Sequence, residues 1–277
     1  MLRFLLVTIL FSAVSLRASD FTGKVVEVRP DDRQLVVAAE SHAPRTFLVG
    51  RGDALIWEVG DLISGHVVAQ GDDERLERIF PADPAEVAVL EKLGEDLKRD
   101  TLRLGMKAFR AVGERVPRFA LWDDDGELFL SESLRGKYVV MNFVFTRCTQ
   151  PNMCPAATAR MIQLDTALDE KGWDDVALVS VTLDPAYDTP GIWTAYAMDR
   201  AIDLERHHLL GGPADVVEAL KKQMGVLAEP DEQEIVRHTM STALIDPTGK
   251  IIYRLPGSRW TPSVFVEEIA EAKAKAP

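Results

Sequence analysis

The chain has 277 residues, 47% apolar and 27% charged, enough to bury a sizeable core and to exclude disorder or collagen-like repetition. Its 32 lysines and arginines face 44 acids, a formal charge of −12, and so acidic a surface repels phosphate backbones. No basic patch stands out, so nucleic-acid binding is not expected. Two cysteines are too few for a disulfide-stapled scaffold. They are Cys148 and Cys154, six positions apart.

Arg3 precedes an apolar run over residues 4–14 and a more polar tail over 15–18. The run fits a signal h-region of ~7–15 residues and falls short of the ~20 needed to span a bilayer. Residues 1–19 therefore read as a signal peptide cut after Ala18, and the protein as exported to the periplasm or cell envelope, where disulfides persist. Leu16 sits where such a cut prefers a small residue, which keeps an uncleaved membrane anchor as the alternative.

Residues 21–80 read as a small β domain. Runs at 24–28 and 35–38 flank a Pro30-Asp31-Asp32 turn, and 45–49, 65–70 and 75–80 add short strands. Five strands in so short a stretch point to a small barrel, the oligonucleotide/oligosaccharide-binding type being one candidate. Pro81 and Pro84 then break the pattern. Over 85–103, Val87, Leu90, Leu93, Leu97 and Leu102 recur near helical spacing, so 81–112 reads as a helical linker.

Residues 113–277 form the second expected domain. The apolar runs at 138–145 and 176–182 suit buried central strands, with a helix over 156–171 between them. Thr189-Pro190 and Thr261-Pro262 each announce a helix by a cap followed by proline at the first helical position. Another helix over 213–224 and two strands around Asp246-Pro247-Thr248-Gly249 complete an α/β sheet with helices on both faces.

The chemistry concentrates where the first of these strands ends. Cys148 and Cys154 share the loop that leads into a helix, and Pro155 at the first helical position puts Cys154 at or beside the N-cap. The helix N-terminus favours a thiolate there, which lowers the expected pKa of Cys154. Six residues of regular helix would rise ~9 Å, too far for a disulfide. Pro151 implies a loop instead, and two thiols brought together in it can close a disulfide or grip a soft metal ion.

These residues resemble the Sco/SenC family, thioredoxin-like proteins that handle copper in cytochrome c oxidase assembly. The resemblance covers residues 117–277 and rests on a set of motifs. These are Leu134-Arg135-Gly136-Lys137, Phe145-Thr146-x-Cys148, Cys154-Pro155, Val181-Thr182-Leu183-Asp184-Pro185-x-x-Asp188-Thr189-Pro190, and His238 ahead of Asp246-Pro247-x-Gly249. It implies a thioredoxin-like fold for the second domain and copper as the bound metal. Cys148, Cys154 and His238 are then the ligands, and the two cysteines are also the redox and disulfide pair. The implied partner is a protein with a copper site or a cysteine pair, such as a cytochrome c oxidase subunit. Two departures stand out. The family usually has three residues between its cysteines and this chain has five, and Arg237 replaces the aspartate that usually precedes the histidine. A cation there disfavours bound cupric ion. Both departures raise a metal-independent thiol–disulfide oxidoreductase as the alternative. A thiol peroxidase is weaker, since the proline of its usual Pro-x-x-x-Thr-x-x-Cys setting is missing.

Other residues have simpler expected roles. His207-His208 reads as a solvated junction between loop and strand, because neighbours on a strand point to opposite faces. His42 and His66 stand far from any cysteine, and Met153 reads as a packing residue. Asp184 and Asp188 are expected in turn and capping roles.

Overall fold

The computed structural model describes residues 19–40, 42–105, 109–226, 228–230, 236–238 and 240–275. The expected signal segment lies outside them, apart from Ser19. No helix among the described residues is long and apolar enough to cross a membrane.

The amino-terminal elements are β1 (Ser19–Arg29), β2 (Gln34–Ala38), β3 (Arg45–Leu48), α1 (Asp53–Ile56), β4 (Leu62–Gln70) and β5 (Asp73–Pro81). The strands close into a barrel of order β1-β2-β3-β5-β4. Closure depends on β1, which pairs with β4 from Ser19 to Lys24 and with β2 from Lys24 to Arg29. A register slip between Val25 and Glu27 bends this strand from one partner to the other. Alternate side chains point inward, so Val25, Leu35, Val37, Phe47, Ile63, Leu76 and Ile79 fill the interior.

Helix α2 (Pro84–Leu104) follows, capped by Asp83, whose carboxylate accepts from the N–H groups of Ala85 and Glu86. Its apolar stripe buries Leu90, Leu93 and Leu97. Next come β6 (Ala120–Trp122), β7 (Leu128–Leu130), β8 (Tyr138–Val144), α3 (Cys154–Asp169), β9 (Val176–Thr182), α4 (Pro190–Arg200), β10 (His207–Leu210) and α5 (Ala214–Gln223). The chain ends with β11 (Ala228–Pro230), β12 (Val236–His238), β13 (Ser241–Ile245), β14 (Ile251–Pro256) and α6 (Pro262–Lys275).

The main sheet has the order β10-β9-β8-β13-β14, with β8, β9 and β10 parallel and β13 antiparallel to both its neighbours. Every residue of β8 and β9 is buried, as their mostly apolar runs suggest for central strands. Leu164, Leu168, Phe265 and Ile269 from α3 and α6 cover one face. Trp193, Val216 and Leu220 from α4 and α5, joined by Leu97 of α2, cover the other. The architecture is the expected α/β sheet with helices on both faces, preceded by a small barrel and a connecting helix. Five short elements carry no periodicity of their own and were not expected: α1, β6, β7, β11 and β12.

Asp53 opens α1 and is buried where the barrel meets α4. Burial pushes its pKa up to about 6, against the opposing hydrogen bonds from Trp57 and Gly50 and the charge of Arg75. A folded-state pKa above the ordinary carboxylate value favours the protonated form, so this stability is present below pH ~4 and lost as pH rises through ~6. Its full loss is on the order of 2–3 kcal/mol. Asp53→Asn removes the titration. Denaturant unfolding between pH 4.5 and 7.5 is therefore expected to show the variant gaining on the parent protein as pH rises. A constant difference across that range would contradict the assignment.

Candidate thiol and metal site

Strand β8 ends at Val144, and residues 145–153 form an irregular loop before α3. Pro151 and Pro155 keep this segment from continuing as one helix. The loop is held by its own backbone, with Cys148 N–H donating to Phe145 and Met153 N–H to Gln150. It brings the two sulfurs together: Cys154 is hydrogen-bonded to Cys148. Cys154, the first residue of α3, is fully buried, whereas Cys148 is half-buried against the edge of the same core.

This corrects the expected electrostatics of Cys154. The helix N-terminus was expected to lower its pKa, but the value is raised. The hydrogen bond with Cys148 contributes most and burial next, and a backbone hydrogen bond from Phe145 opposes them only in part. Desolvation of a sulfur with no exposure outweighs a helix-end effect that is worth ~1 kcal/mol at a surface.

Beneath the loop lies Asp188, which has no exposure at all. Its carboxylate accepts from the Thr146 hydroxyl at 2.5 Å, the Thr182 hydroxyl at 2.6 Å and the Thr146 N–H at 3.3 Å. Thr182 in turn accepts from the N–H of Asp184 at 2.8 Å. Asp188 thus ties the end of β9 to the cysteine loop, two residues before Cys148. The capping role expected of it belongs to Thr189 alone, whose hydroxyl accepts from Ile192 N–H. Burial pushes the Asp188 carboxyl up to about 7, and the charge of Asp184 adds to the rise.

Arg147, the neighbour of Cys148 in the chain, is engaged by Asp184 and Tyr187. Its guanidinium donates twice to Asp184, at 2.9 and 2.5 Å, and lies 4.3 Å from the centre of the Tyr187 ring. Asp184 and Asp188 of the motif, with Tyr187 between them, therefore serve as supports of the cysteine loop. Their spacing in sequence shows only a turn before a helix, because their partners in that loop are about forty residues away.

Tyr196 of α4 gives the second support. Its hydroxyl meets that of Thr158 at 2.8 Å, one turn along α3 from Cys154. Sequence reading had singled out neither residue, and nothing in their local pattern could have done so.

His238 lies on β12, where its backbone pairs with Ala228. Its side chain lies outside the described residues, as does that of Arg237. Among the described residues no three metal-binding groups cluster. His207 and His208 do point to opposite faces, but the first is not solvated. It is buried on β10, its Nε2 lies 2.8 Å from the Ser180 hydroxyl, and burial pushes its pKa down to about 3. His208 stacks at 5.0 Å on Phe129. In the barrel, His66 pairs with Asp20 at 2.6 Å.

Over this region the chain is similar to known proteins. Residues 109–274 match the sequence profile of SCO1/SenC. The SCO1 protein homolog of Bacillus subtilis is 29% identical over 150 residues, which are 53% of this chain and 76% of that protein. Further curated relatives are matched over 54% to 66% of their own length. Among solved structures, BsSco, described as having a disulfide switch and as a member of the Sco family of cytochrome c oxidase assembly proteins, superposes with a TM-score of 0.52. It is 25% identical over 62% of this chain and 99% of its own. Yeast Sco1 with copper bound superposes at 0.50, with 25% identity over 59% of this chain and 91% of its own. The profile match takes in the cysteine loop, the Asp184–Asp188 supports and β12 together, and by it the chain belongs to the SCO1/SenC family.

Proposed function

We propose that this protein is an exported, redox-active copper carrier that delivers copper to a partner protein or adjusts the redox state of that partner's cysteines. The partner carries a copper site or a cysteine pair, and a cytochrome c oxidase subunit fits that description. The single observation that carries the reading is the pair of hydrogen-bonded thiols where β8 hands over to α3. Two thiolates make a soft donor set that selects cuprous ion, and the imidazole of His238 supplies the third donor. Copper bound to yeast Sco1 and the disulfide switch of BsSco support the two halves of the proposal.

Cuprous ion binds as cargo, and both thiols lose their protons to it. Without metal, the same two sulfurs close a disulfide by giving up two electrons and two protons to an oxidised acceptor. The second reading, thiol–disulfide exchange without metal, is favoured by the uneven burial of the pair. A half-buried Cys148 is open to a partner sulfur while Cys154 is held back.

Titration of the reduced full chain with cuprous ion, against a competing chelator, tests the proposal. About one tightly held ion per chain is expected, since the proposal has a single thiol pair. No binding, together with a disulfide that equilibrates with glutathione, would leave the metal-independent reading in its place.

A further inference from the structure

The family profile begins at residue 109, so the barrel has no role in the reading above. Its contacts give it one. The barrel meets α4 at a crossing of two glycines, Gly52 beside α1 and Gly191 in the first turn of α4. A methyl group at Gly52 would lie 2.7 Å from the carbonyl carbon of Gly191, and one at Gly191 would lie 2.6 Å from the backbone nitrogen of Asp53. Both fall under 3.0 Å, a distance that real Cβ contacts essentially never show. Only glycine lets the two backbones approach this closely. Arg51 fastens the crossing, donating to the carbonyl of Ala195 at 2.9 Å and to Asp199 at 2.7 Å.

Residues of α4 and just before it also grip both cysteine-bearing segments. Asp188, two residues before the helix, holds Thr146 of the Cys148 loop. Tyr196 holds Thr158 of α3, the helix that Cys154 opens. Helix α4 therefore contacts the barrel through Gly191, Ala195 and Asp199 and, through Tyr196 and the Asp188 that precedes it, both thiol-bearing segments.

We propose that the barrel is the footing of the thiol pair: by locking α4 through the Gly52–Gly191 crossing and Arg51, it sets how Cys148 and Cys154 face each other. Gly52, Gly191 and Arg51 are positioning residues on this account. The inference rests on the thiol site assigned above. Its readout is thiol chemistry without metal, so a failure of copper binding leaves it standing.

The test uses the full chain in three variants. Gly52→Ala forces the crossing apart, and Arg51→Ala removes its hydrogen bonds without adding bulk. Gly65→Ala strains the barrel internally, where a methyl would lie 2.9 Å from the carbonyl oxygen of Glu77, away from the crossing. For each, the disulfide equilibrium with glutathione and the pH profile of Cys148 alkylation are measured. Gly52→Ala is expected to shift the equilibrium constant about threefold to tenfold, and Arg51→Ala less and in the same direction. Gly65→Ala is expected to leave it unchanged. Parental thiol chemistry in Arg51→Ala and in folded Gly52→Ala would overturn the proposal. So would an equal shift in Gly65→Ala, which would trace the effect to barrel stability in general.

Discussion

Cys148→Ser and Cys154→Ser are each expected to abolish tight copper binding, taking the stoichiometry from about one cuprous ion per chain to near zero under chelator competition. The reason is donor chemistry. A serine hydroxyl keeps roughly the shape of cysteine but offers a hard oxygen that stays protonated at neutral pH, whereas cuprous ion selects thiolate sulfur. Both variants are expected to fold, since Cys148 is half-buried and Cys154→Ser exchanges one small group for another at the start of α3. His238→Ala keeps both sulfurs and is expected to weaken binding and change the copper spectrum without abolishing the site. Unchanged stoichiometry and affinity in either serine variant would remove the thiol pair as the binding site.

The second large effect separates the sulfurs by role. When the protein acts as a reductant, Cys148 is expected to attack the partner disulfide and Cys154 to resolve the mixed disulfide. Cys154 is fully buried and its pKa is raised, so its proton is retained while it hydrogen-bonds to Cys148. A hydrogen bond donated by that thiol stabilises a thiolate on Cys148, the sulfur a partner can reach. In the balanced step, the Cys148 thiolate forms a bond to one partner sulfur and the other leaves as thiolate. Cys154 then attacks Cys148, the internal disulfide closes, and the partner departs with two electrons gained and, after protonation, two thiols. Cys154→Ser cannot resolve and is expected to accumulate a covalent complex with a disulfide-bearing partner, visible by non-reducing electrophoresis or intact mass. Cys148→Ser is expected to trap little, because its remaining sulfur has no exposure. The reverse pattern would exchange the roles.

Much of this architecture is written in local patterns. The mostly apolar runs of β8 and β9, the Thr189-Pro190 start of α4, the spacing of Leu90, Leu93 and Leu97 in α2, and the alternation in the barrel strands each carry their own period. The pairing of Cys148 with Cys154 was legible because both lie in one strand-to-helix loop, and the family motifs added His238. The elements that escaped were the short ones, α1, β6, β7, β11 and β12, which have too few residues to show a period.

The sequence by itself determined that both sulfurs fall in one strand-to-helix loop and that a small barrel precedes a sheet with helices on both faces, since these follow from residue type and periodicity along the chain. Only the tertiary structure decided the electrostatics and the supports of the site. The hydrogen bond with Cys148 and burial raised the pKa of Cys154 against the helix end that would lower it, and the fold drew Arg147 onto Asp184 and took His207 out of solvent. Desolvation depends on what packs around a group, and no window of sequence contains that information. The contacts that matter most, Asp188 to Thr146, Tyr196 to Thr158 and Gly52 to Gly191, join residues about forty to well over a hundred positions apart. Such pairs have no local signature, and only the folded chain brings them together.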